Sequence, residues 1–222
     1  MYRHGFKKLI DLVLSILALP LFAITYLIIG IIIKLEDGGP IFYSGERLGK
    51  SGKIYKMYKF RSMKTNAPDI RNQDGTTFNG KDDPRVTKLG RFIRETSIDE
   101  IPQILNILKG DMSIIGPRPS LPDMLIQYTP EEMPKLEVKP GITGYCQAYY
   151  RNSMSGREKR LKDAWYANNM SFWLDIKIFF RTIVTVLRRE GLYTNIDEAI
   201  KFNQKEKVIP QEQCINEENI VY

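Results

Sequence analysis

Two adjacent carboxylates, Asp99 and Glu100, lie in the stretch ETSIDEIPQ, residues 95–103. One interpretation is structural, because Ser97 and Glu100 have the spacing of a capping box, in which both side chains satisfy free amides at a helix start. Pro102 fits this poorly, since it would be the fifth helical residue, where its missing N–H breaks a hydrogen bond. A helix that begins at Asp99 or later tolerates Pro102 in its first turn. Spacing alone leaves both interpretations open. If the helix begins at Asp99 or later, both carboxylates lie at its N-terminus and outside a capping box.

Positively charged side chains flank the two carboxylates in the sequence. Lys59 and Arg61 occur in YKFRSM, Arg94 in GRFIRETS and Arg118 in GPRP. Arginine binds phosphoryl oxygens in two-point contacts, and Mg²⁺ commonly binds one or two carboxylates together with substrate phosphates. A carboxylate can also attack phosphorus once cations mask the charge repulsion. The set therefore indicates chemistry on a diphosphate, although any one of these cations could equally be a solvated surface charge.

The composition agrees with an anionic partner. The chain has 222 residues, enough for one medium domain, with a formal net charge of +7 and a pI of about 9.3. Nucleic acid, an anionic membrane surface or a diphosphate substrate would each fit this charge. Cys146 and Cys214 match no metal or redox spacing and are predicted to be free thiols.

An uncharged apolar run, Leu12 to Ile33, is long enough as a helix to cross a hydrocarbon core of about 30 Å. Cations flank it on both sides, at Arg3, Lys7, Lys8 and Lys34. The positive-inside tendency therefore favours both ends on the cytoplasmic side, which a straight span cannot satisfy. Pro20 offers a bend for a re-entrant hairpin. A genuine span can also tolerate a proline, so both arrangements stay open on these residues alone.

The remaining elements alternate between regular segments and rigid loops. Residues 40–64 read as a β-hairpin with strands Ile41–Tyr43 and Ile54–Tyr58. The stretch GERLGKS (45–51) resembles a phosphate-binding P-loop, but Gly45 and Gly49 enclose one residue too few, so that interpretation is rejected. Residues 65–87 predict a mobile polar loop.

Helices are predicted over Lys88–Arg94, from Glu100 to Leu108 with a stop at Gly110, and over 155–169. Residues 114–122 and 138–145 are too rich in Pro and Gly for regular elements and suit ligand-holding loops. From Phe172 to Glu190 an apolar stripe runs beside a basic face, which is typical of a membrane-interface helix or of an ordinary core-facing helix. The chain turns polar from Asn203 onward.

Several ordered motifs carry a resemblance to a known family: KFRSM, then RVTKLGRFIRETSIDEIPQILNILKGDMSIIGPRPSLP, then VKPGITGYCQAYYRN, and finally DAWYANNMSFWLDIKIFFRTIVTVLRREG. From Met1 to about Phe202 the chain resembles the bacterial sugar transferases, and more narrowly the small monotopic phosphoglycosyl transferases. The resemblance implies transfer of a sugar 1-phosphate from a UDP-sugar to undecaprenyl phosphate. It implies a location at the cytoplasmic face of the bacterial inner membrane, where this transfer begins the synthesis of a surface glycoconjugate.

The same resemblance assigns roles to residues. Asp99 would be the nucleophile, forming a covalent phosphosugar intermediate with release of UMP, and would help to hold Mg²⁺. Glu100 would be essential, in proton handling or in placing the acceptor and the metal. The resemblance places phosphate-binding cations at Arg94 and Arg118, and together with the neighbouring Lys59 and Arg61 these form the predicted phosphate-binding set. The predicted nucleotide- or sugar-binding residues are Gln147, Arg151, Asn152 and Asp163. The resemblance also favours the re-entrant hairpin bent at Pro20.

The chain departs from the family pattern in places. Leu19 stands where a Ser often precedes the bending proline, and Gly156 where a Trp is common. The segment 144–152 reads GYCQAYYRN where the family commonly has GWAQVNGRN. The tyrosines Tyr145, Tyr149 and Tyr150 therefore put the sugar or nucleotide preference in doubt, while the carboxylate pair is unaffected.

We therefore predict an α+β fold with a re-entrant membrane helix-break-helix hairpin, interfacial amphipathic helices, a small β-hairpin and a compact, mostly helical cytoplasmic catalytic domain. The predicted divisions are a membrane segment at 1–34, a catalytic domain at 35–203 and a polar tail at 204–222. The expected partners are the UDP-sugar, undecaprenyl phosphate and membrane lipid, with a homodimer left open. Two rival functions are a membrane-anchored scaffold that binds anionic lipid and a membrane-bound nucleic-acid binder. The second lacks any recognisable module, so no nucleic acid is expected.

Overall fold

The structure, a computed structural model, describes residues 2–72, 75, 77–151 and 154–188. After a π-helical turn at Tyr2–Phe6, the α-helices are α1 (Lys7–Asp37), α2 (Lys88–Glu95), α3 (Ile104–Lys109), α4 (Tyr145–Tyr149), α5 (Gly156–Asn168) and α6 (Phe172–Arg188). The strands are β1 (Phe42–Leu48), β2 (Ile54–Phe60), β3 (Ser113–Ile115) and β4 (Gly141–Thr143). Short 3₁₀ helices cover Lys50–Gly52, Ile98–Gln103, Pro122–Gln127 and Met133–Glu137. The predicted mixture of helices and a small β-hairpin is confirmed.

Helix α1 is the one helix in the described part of the chain that is long and apolar enough to cross a membrane. It is continuous through Pro20, so the predicted break at that residue is not confirmed. One narrow stripe of α1 is buried, and most of its apolar side chains are exposed, among them Leu17, Leu21 and Leu27. Exposing such a wide apolar surface to water is unfavourable, whereas contact with lipid suits it.

Both ends of α1 contact the same folded body. Near its start, the Asp11 carboxylate accepts hydrogen bonds from Ser113 Oγ at 2.8 Å and from the Ile114 amide at 3.0 Å. Near its end, Ile29 and Ile33 lie in one buried cluster with residues of β2 and α2. The helix is therefore anchored to the rest of the protein at both ends.

Strands β1 and β2 form the predicted hairpin, paired antiparallel from Phe42 with Phe60 to Leu48 with Ile54. The pairing confirms that GERLGKS is not a P-loop, since Gly45 lies inside a strand and no long helix follows. Residues 65–87 are irregular, as predicted, apart from isolated bridges. Arg85 fastens this loop internally through a buried ion pair with Asp83 at 2.6 Å.

Helix α2 and the end of α3 agree with the sequence prediction, but α3 begins at Ile104 and not at the predicted Glu100, because a 3₁₀ helix covers Ile98–Gln103. Thr87 caps α2 by accepting a hydrogen bond from the Gly90 amide at 2.9 Å. Gly110 ends α3 with a φ of 88°, a left-handed conformation that favours glycine. Strand β3 then pairs parallel with β4. A side chain at Gly116 would collide with the backbone of the loop before β4, so this close approach requires glycine.

Helix α5 begins with a complete capping box formed by Ser155 and Glu158, which confirms the predicted helix. In α6, Ile178 is buried, but large apolar side chains such as Trp173, Phe180 and Leu187 are exposed. This exposure argues against an ordinary core-facing helix and favours the membrane-interface alternative. The predicted end of this helix at Glu190 and the tail at 204–222 lie outside the described residues.

Candidate active site

Asp99 and Glu100 lie in the 3₁₀ helix Ile98–Gln103, directly before α3. Ser97 precedes them in a left-handed conformation (φ 58°) and its side chain caps no amide. The capping box therefore does not form, because Glu100 points to another partner and Ser97 has the wrong backbone geometry. The tighter 3₁₀ turn also accommodates Pro102. The carboxylates are thus free of a helix-capping role.

Lys59 at the end of β2 contacts both carboxylates. Its Nζ lies 2.5 Å from Glu100 Oε1 and 3.8 Å from Asp99 Oδ2. Arg118, in the loop after β3, places its Nη1 3.9 Å from the same Glu100 oxygen. Three distant segments of the chain therefore meet at the carboxylate pair.

The two carboxylates differ in their electrostatic state. Burial raises the pKa of Asp99 to about 6, and Lys59 only partly opposes this effect. Burial acts in the same direction on Glu100, but Lys59 and Arg118 together overcome it and lower the pKa of that carboxyl. Asp99, with a side chain only 11% exposed, accepts no hydrogen bond from any described residue. Its oxygens are therefore desolvated and free to bind a metal or attack an electrophile.

Two more of the predicted cations act on this pair. Arg94 on α2 lies close enough to stabilise the charge of Asp99, and Arg151 does the same for Glu100. Arg61, in contrast, is engaged elsewhere. Its guanidinium makes a two-point contact with Asp37, including Nη1 to Oδ2 at 2.6 Å, and donates to the Pro40 and Met63 carbonyls. In this structure Arg61 therefore connects α1 to β1, and its predicted contact with a phosphate stays a prediction.

The predicted nucleotide- or sugar-binding residues are dispersed. Gln147 donates to the Ile142 carbonyl at 3.0 Å, while its buried side-chain oxygen has no hydrogen-bond partner among the described residues. Asp163 is buried on α5 and forms an ion pair with Lys135 at 3.2 Å, which makes it part of the domain interior. Asn152 lies outside the described residues. Among the described members of this group, Arg151 is the one whose charge acts on the Glu100 carboxylate.

The tyrosines that depart from the family pattern form an aromatic cluster with Trp165. Ring centroids of Tyr145 lie 5.1 Å from Tyr149, 6.0 Å from Tyr150 and 5.0 Å from Trp165. Trp165 and Tyr149 are partly exposed. Three of its members, Tyr145, Tyr149 and Tyr150, lie in the same segment as Gln147 and Arg151.

Arg47 on β1 is one further cation of interest, and its spacing in the sequence does not identify it as a candidate site residue. The signal that could have found it is strand alternation, because Arg47 and Lys59 lie on the same face of the hairpin once its register is known.

A magnesium ion would find only part of its ligand set in the protein. The described residues hold no cluster of three or more His, Cys, Asp or Glu side chains. Mg²⁺ is commonly bound by one or two carboxylates, with substrate phosphates and waters completing the shell. The unbonded Asp99 carboxylate fits that pattern.

Comparisons with known proteins show which proteins this chain resembles. Residues 2–189 match the family model described as bacterial sugar transferase. The uncharacterized sugar transferase EpsL of Bacillus subtilis is 44% identical over 88% of this chain and 95% of its own length. The undecaprenyl-phosphate galactose phosphotransferase of Salmonella typhimurium is 43% identical over 71% of this chain but 36% of its own length. The UDP-N-acetylgalactosamine-undecaprenyl-phosphate N-acetylgalactosaminephosphotransferase of Aeromonas hydrophila is 40% identical over 83% of this chain and 44% of its own length. The chain thus spans nearly all of one relative and less than half of the other two.

Proposed function

Because this chain belongs to the bacterial sugar transferase family, we propose that it transfers a sugar 1-phosphate from a UDP-sugar to undecaprenyl phosphate. The names of two relatives, which refer to undecaprenyl phosphate and to galactose or N-acetylgalactosamine, support the acceptor and the donor class. The observation that carries the proposal is the Asp99 carboxylate, which is desolvated, unbonded and surrounded by Lys59, Arg94 and Arg118.

The proposed reaction has two displacements at one phosphorus. In the first, an Asp99 oxygen attacks the phosphorus that carries the sugar, and the bond from that phosphorus to the bridging oxygen breaks. UMP leaves with the electron pair. In the second, an oxygen of undecaprenyl phosphate attacks the same phosphorus, the bond to Asp99 breaks, and undecaprenyl diphosphate sugar is formed. Dividing the transfer in this way lets one site serve a soluble donor and a lipid acceptor in turn.

The surrounding residues prepare Asp99 for attack. Lys59 and the arginines offset the negative charge of the diphosphate, so that a carboxylate can approach it. Glu100 stays ionised, and its 2.5 Å contact with Lys59 fixes that ammonium group next to Asp99. We assign Glu100 to positioning Lys59 and Arg118. Mg²⁺ held by Asp99 and the substrate phosphates would supply further charge neutralisation.

The membrane segment is proposed to be re-entrant at the cytoplasmic face of the bacterial inner membrane. One folded body contacts both ends of α1, which supports both ends lying on the same side of the membrane. The cations on both sides of the apolar run support the cytoplasmic side for both ends. The exposed apolar side chains of α6 would lie in the same interface. Cysteines introduced near Arg3 and Gly38, labelled with an impermeant reagent from outside the cell, test this arrangement. Labelling at one end alone would refute the re-entrant arrangement. Whether the chain forms a homodimer stays open.

The activity is tested with a panel of UDP-sugars, Mg²⁺ and undecaprenyl phosphate, measured as UMP release. We expect release from at least one donor and its loss in Asp99→Asn, with Asp82→Asn as a control that removes an exposed carboxylate. A lipid-binding scaffold would show no UMP release and no effect of Asp99→Asn. Salt-sensitive binding of DNA or RNA that survives Asp99→Asn would instead support the nucleic-acid alternative.

A further inference from the structure

One face of the β-hairpin leads away from the carboxylate pair. Alternate residues of a strand share a face, and directly paired residues lie side by side. In the observed register, the face that carries Lys59 also carries its partner Tyr43, the pair Gly45 and Met57, and the pair Arg47 and Tyr55. Arg47 is four residues from Tyr43, so its backbone lies about 13 Å along the strand from the end at the carboxylates.

Arg47 is a half-buried cation without an acidic partner. Its Nη1 donates to the Glu46 carbonyl at 2.7 Å, and it forms no ion pair with any carboxylate in the described ranges. Beside it, the Tyr55 hydroxyl is buried and has no hydrogen-bond partner within the part of the chain that the structure describes. Burial raises the pKa of Tyr55, so this hydroxyl remains a proton donor. A half-buried guanidinium without a counter-charge and a buried hydroxyl without a hydrogen-bond partner are both costly unless a ligand completes them.

Glycine makes room for a second tyrosine in this row. A side chain at Gly45 would begin 2.7 Å from the Tyr43 hydroxyl, which shows that the Tyr43 ring lies over Gly45. The Tyr43 hydroxyl consequently reaches toward Arg47 and interacts with it. Tyr43, Arg47 and Tyr55 therefore form one polar group at the far end of the hairpin face.

The backbone brings Arg118 next to Arg47. The Leu48 amide, directly after Arg47, donates to the Ser120 carbonyl at 2.9 Å and so ties the end of β1 to the loop that carries Arg118. Burial lowers the pKa of Arg47, and the nearby charge of Arg118 lowers it further. On its other side, Arg118 faces Glu100 at 3.9 Å. The charge of Arg118 thus acts on both Arg47 and Glu100, and Arg47 has no acidic partner among the described residues.

We propose that Arg47 and Arg118 form an anion subsite that holds the phosphate of the departing nucleoside monophosphate. The proposal rests on the proposed function and deepens it. In an in-line displacement, the leaving oxygen lies opposite the attacking one and gains negative charge as its bond breaks. Asp99 and Lys59 occupy the attacking side, and Arg118 continues from them toward Arg47. The Tyr43 and Tyr55 hydroxyls can donate to the same phosphate.

The test measures binding of UMP to the full chain in nanodiscs, by calorimetry, without donor or acceptor. Losing a charge-assisted contact predicts that Arg47→Gln weakens UMP binding about tenfold or more. Lys56→Gln is the matched control, because it removes one positive charge from the same hairpin but on the opposite face, where Lys56 pairs with Glu46. Arg47→Lys should recover part of the affinity. Thermal melting of each variant shows whether the fold is retained.

The outcomes separate this proposal from the proposed function. Wild-type binding of UMP by Arg47→Gln, or equal weakening by Lys56→Gln, would overturn the subsite. An unchanged affinity for UMP with a raised KM for undecaprenyl phosphate would also overturn it, since the anion held there would be the lipid. If Arg47→Gln weakens UMP binding but no UDP-sugar yields UMP with the wild type, the subsite stands and the proposed reaction fails.

Discussion

Replacing Asp99 with asparagine is expected to stabilise the metal-free protein while abolishing its activity. Asp99 holds a desolvated carboxylate that accepts no hydrogen bond from the described residues, and its nearest cation, Lys59, is 3.8 Å away. Asparagine has nearly the same shape and carries no charge. The substitution therefore removes an unfavourable buried charge without opening a cavity.

The size of the effect follows from the carboxyl pKa, which burial raises from its ordinary value of 3.8 to about 6 in the folded protein. A difference of about two pKa units corresponds to about 3 kcal/mol. Because the folded state binds this proton more tightly, the stability from the protonated carboxyl is present below about pH 4 and is lost as the pH rises to about 6. The gain from Asp99→Asn should be largest above pH 6 and vanish near pH 4.

The assay is thermal unfolding in nanodiscs with EDTA, at pH 8 and at pH 4. At pH 8 the expected gain of about 2–3 kcal/mol corresponds to about 5–10 °C in Tm for a domain of this size. Glu100→Gln is the matched control and should lower Tm at pH 8. The pKa of Glu100 is lowered in the folded protein, so its charge adds stability that is lost only as the pH falls through that value. A decrease in Tm for Asp99→Asn as large as that for Glu100→Gln would refute the reasoning.

Two further predictions concern the scaffold. Asp175→Asn should lower the unfolding free energy by about 3–5 kcal/mol, because it leaves the buried Lys7 ammonium, now 2.5 Å from the carboxylate, without a counter-charge; an unchanged denaturation midpoint would contradict this. Gly90→Ala should lower the free energy of unfolding by about 1–3 kcal/mol, because the new Cβ would collide with the Ser62 carbonyl and displace α2. Gly5→Ala, at a glycine with open space, is its control in the same melting experiment.

Local features of the chain were predicted well, because they depend on near neighbours. The hairpin follows from β-forming runs around glycine-rich turn residues, and the stop of α3 follows from Gly110, which adopts the left-handed conformation. The meeting of Lys59 and Arg118 with the carboxylates also agrees with the charge pattern. Even there, the local geometry was not predictable, since the left-handed Ser97 excludes the capping box that its spacing suggests.

Features that depend on long-range pairing could not be read from spacing. Arg61 and Lys59 are two residues apart and look alike in sequence, but Arg61 is fastened to Asp37 across the start of the hairpin. Asp163 appears on a charged helix, and only the packing of α5 shows that it is paired with Lys135 in the interior. A proline inside a long apolar helix is compatible with a continuous helix or a break, so Pro20 alone did not decide between them.

The most direct test of the account is to look for the covalent intermediate on Asp99. The full chain in nanodiscs is incubated with Mg²⁺ and UDP-galactose or UDP-N-acetylgalactosamine, without acceptor, and analysed by intact mass and peptide mapping. We expect an added sugar phosphate on the peptide that contains Asp99. This adduct should disappear when undecaprenyl phosphate is supplied, and it should be absent from Asp99→Asn. Turnover of the donor to lipid product without any adduct, or with an adduct on another residue, would contradict it.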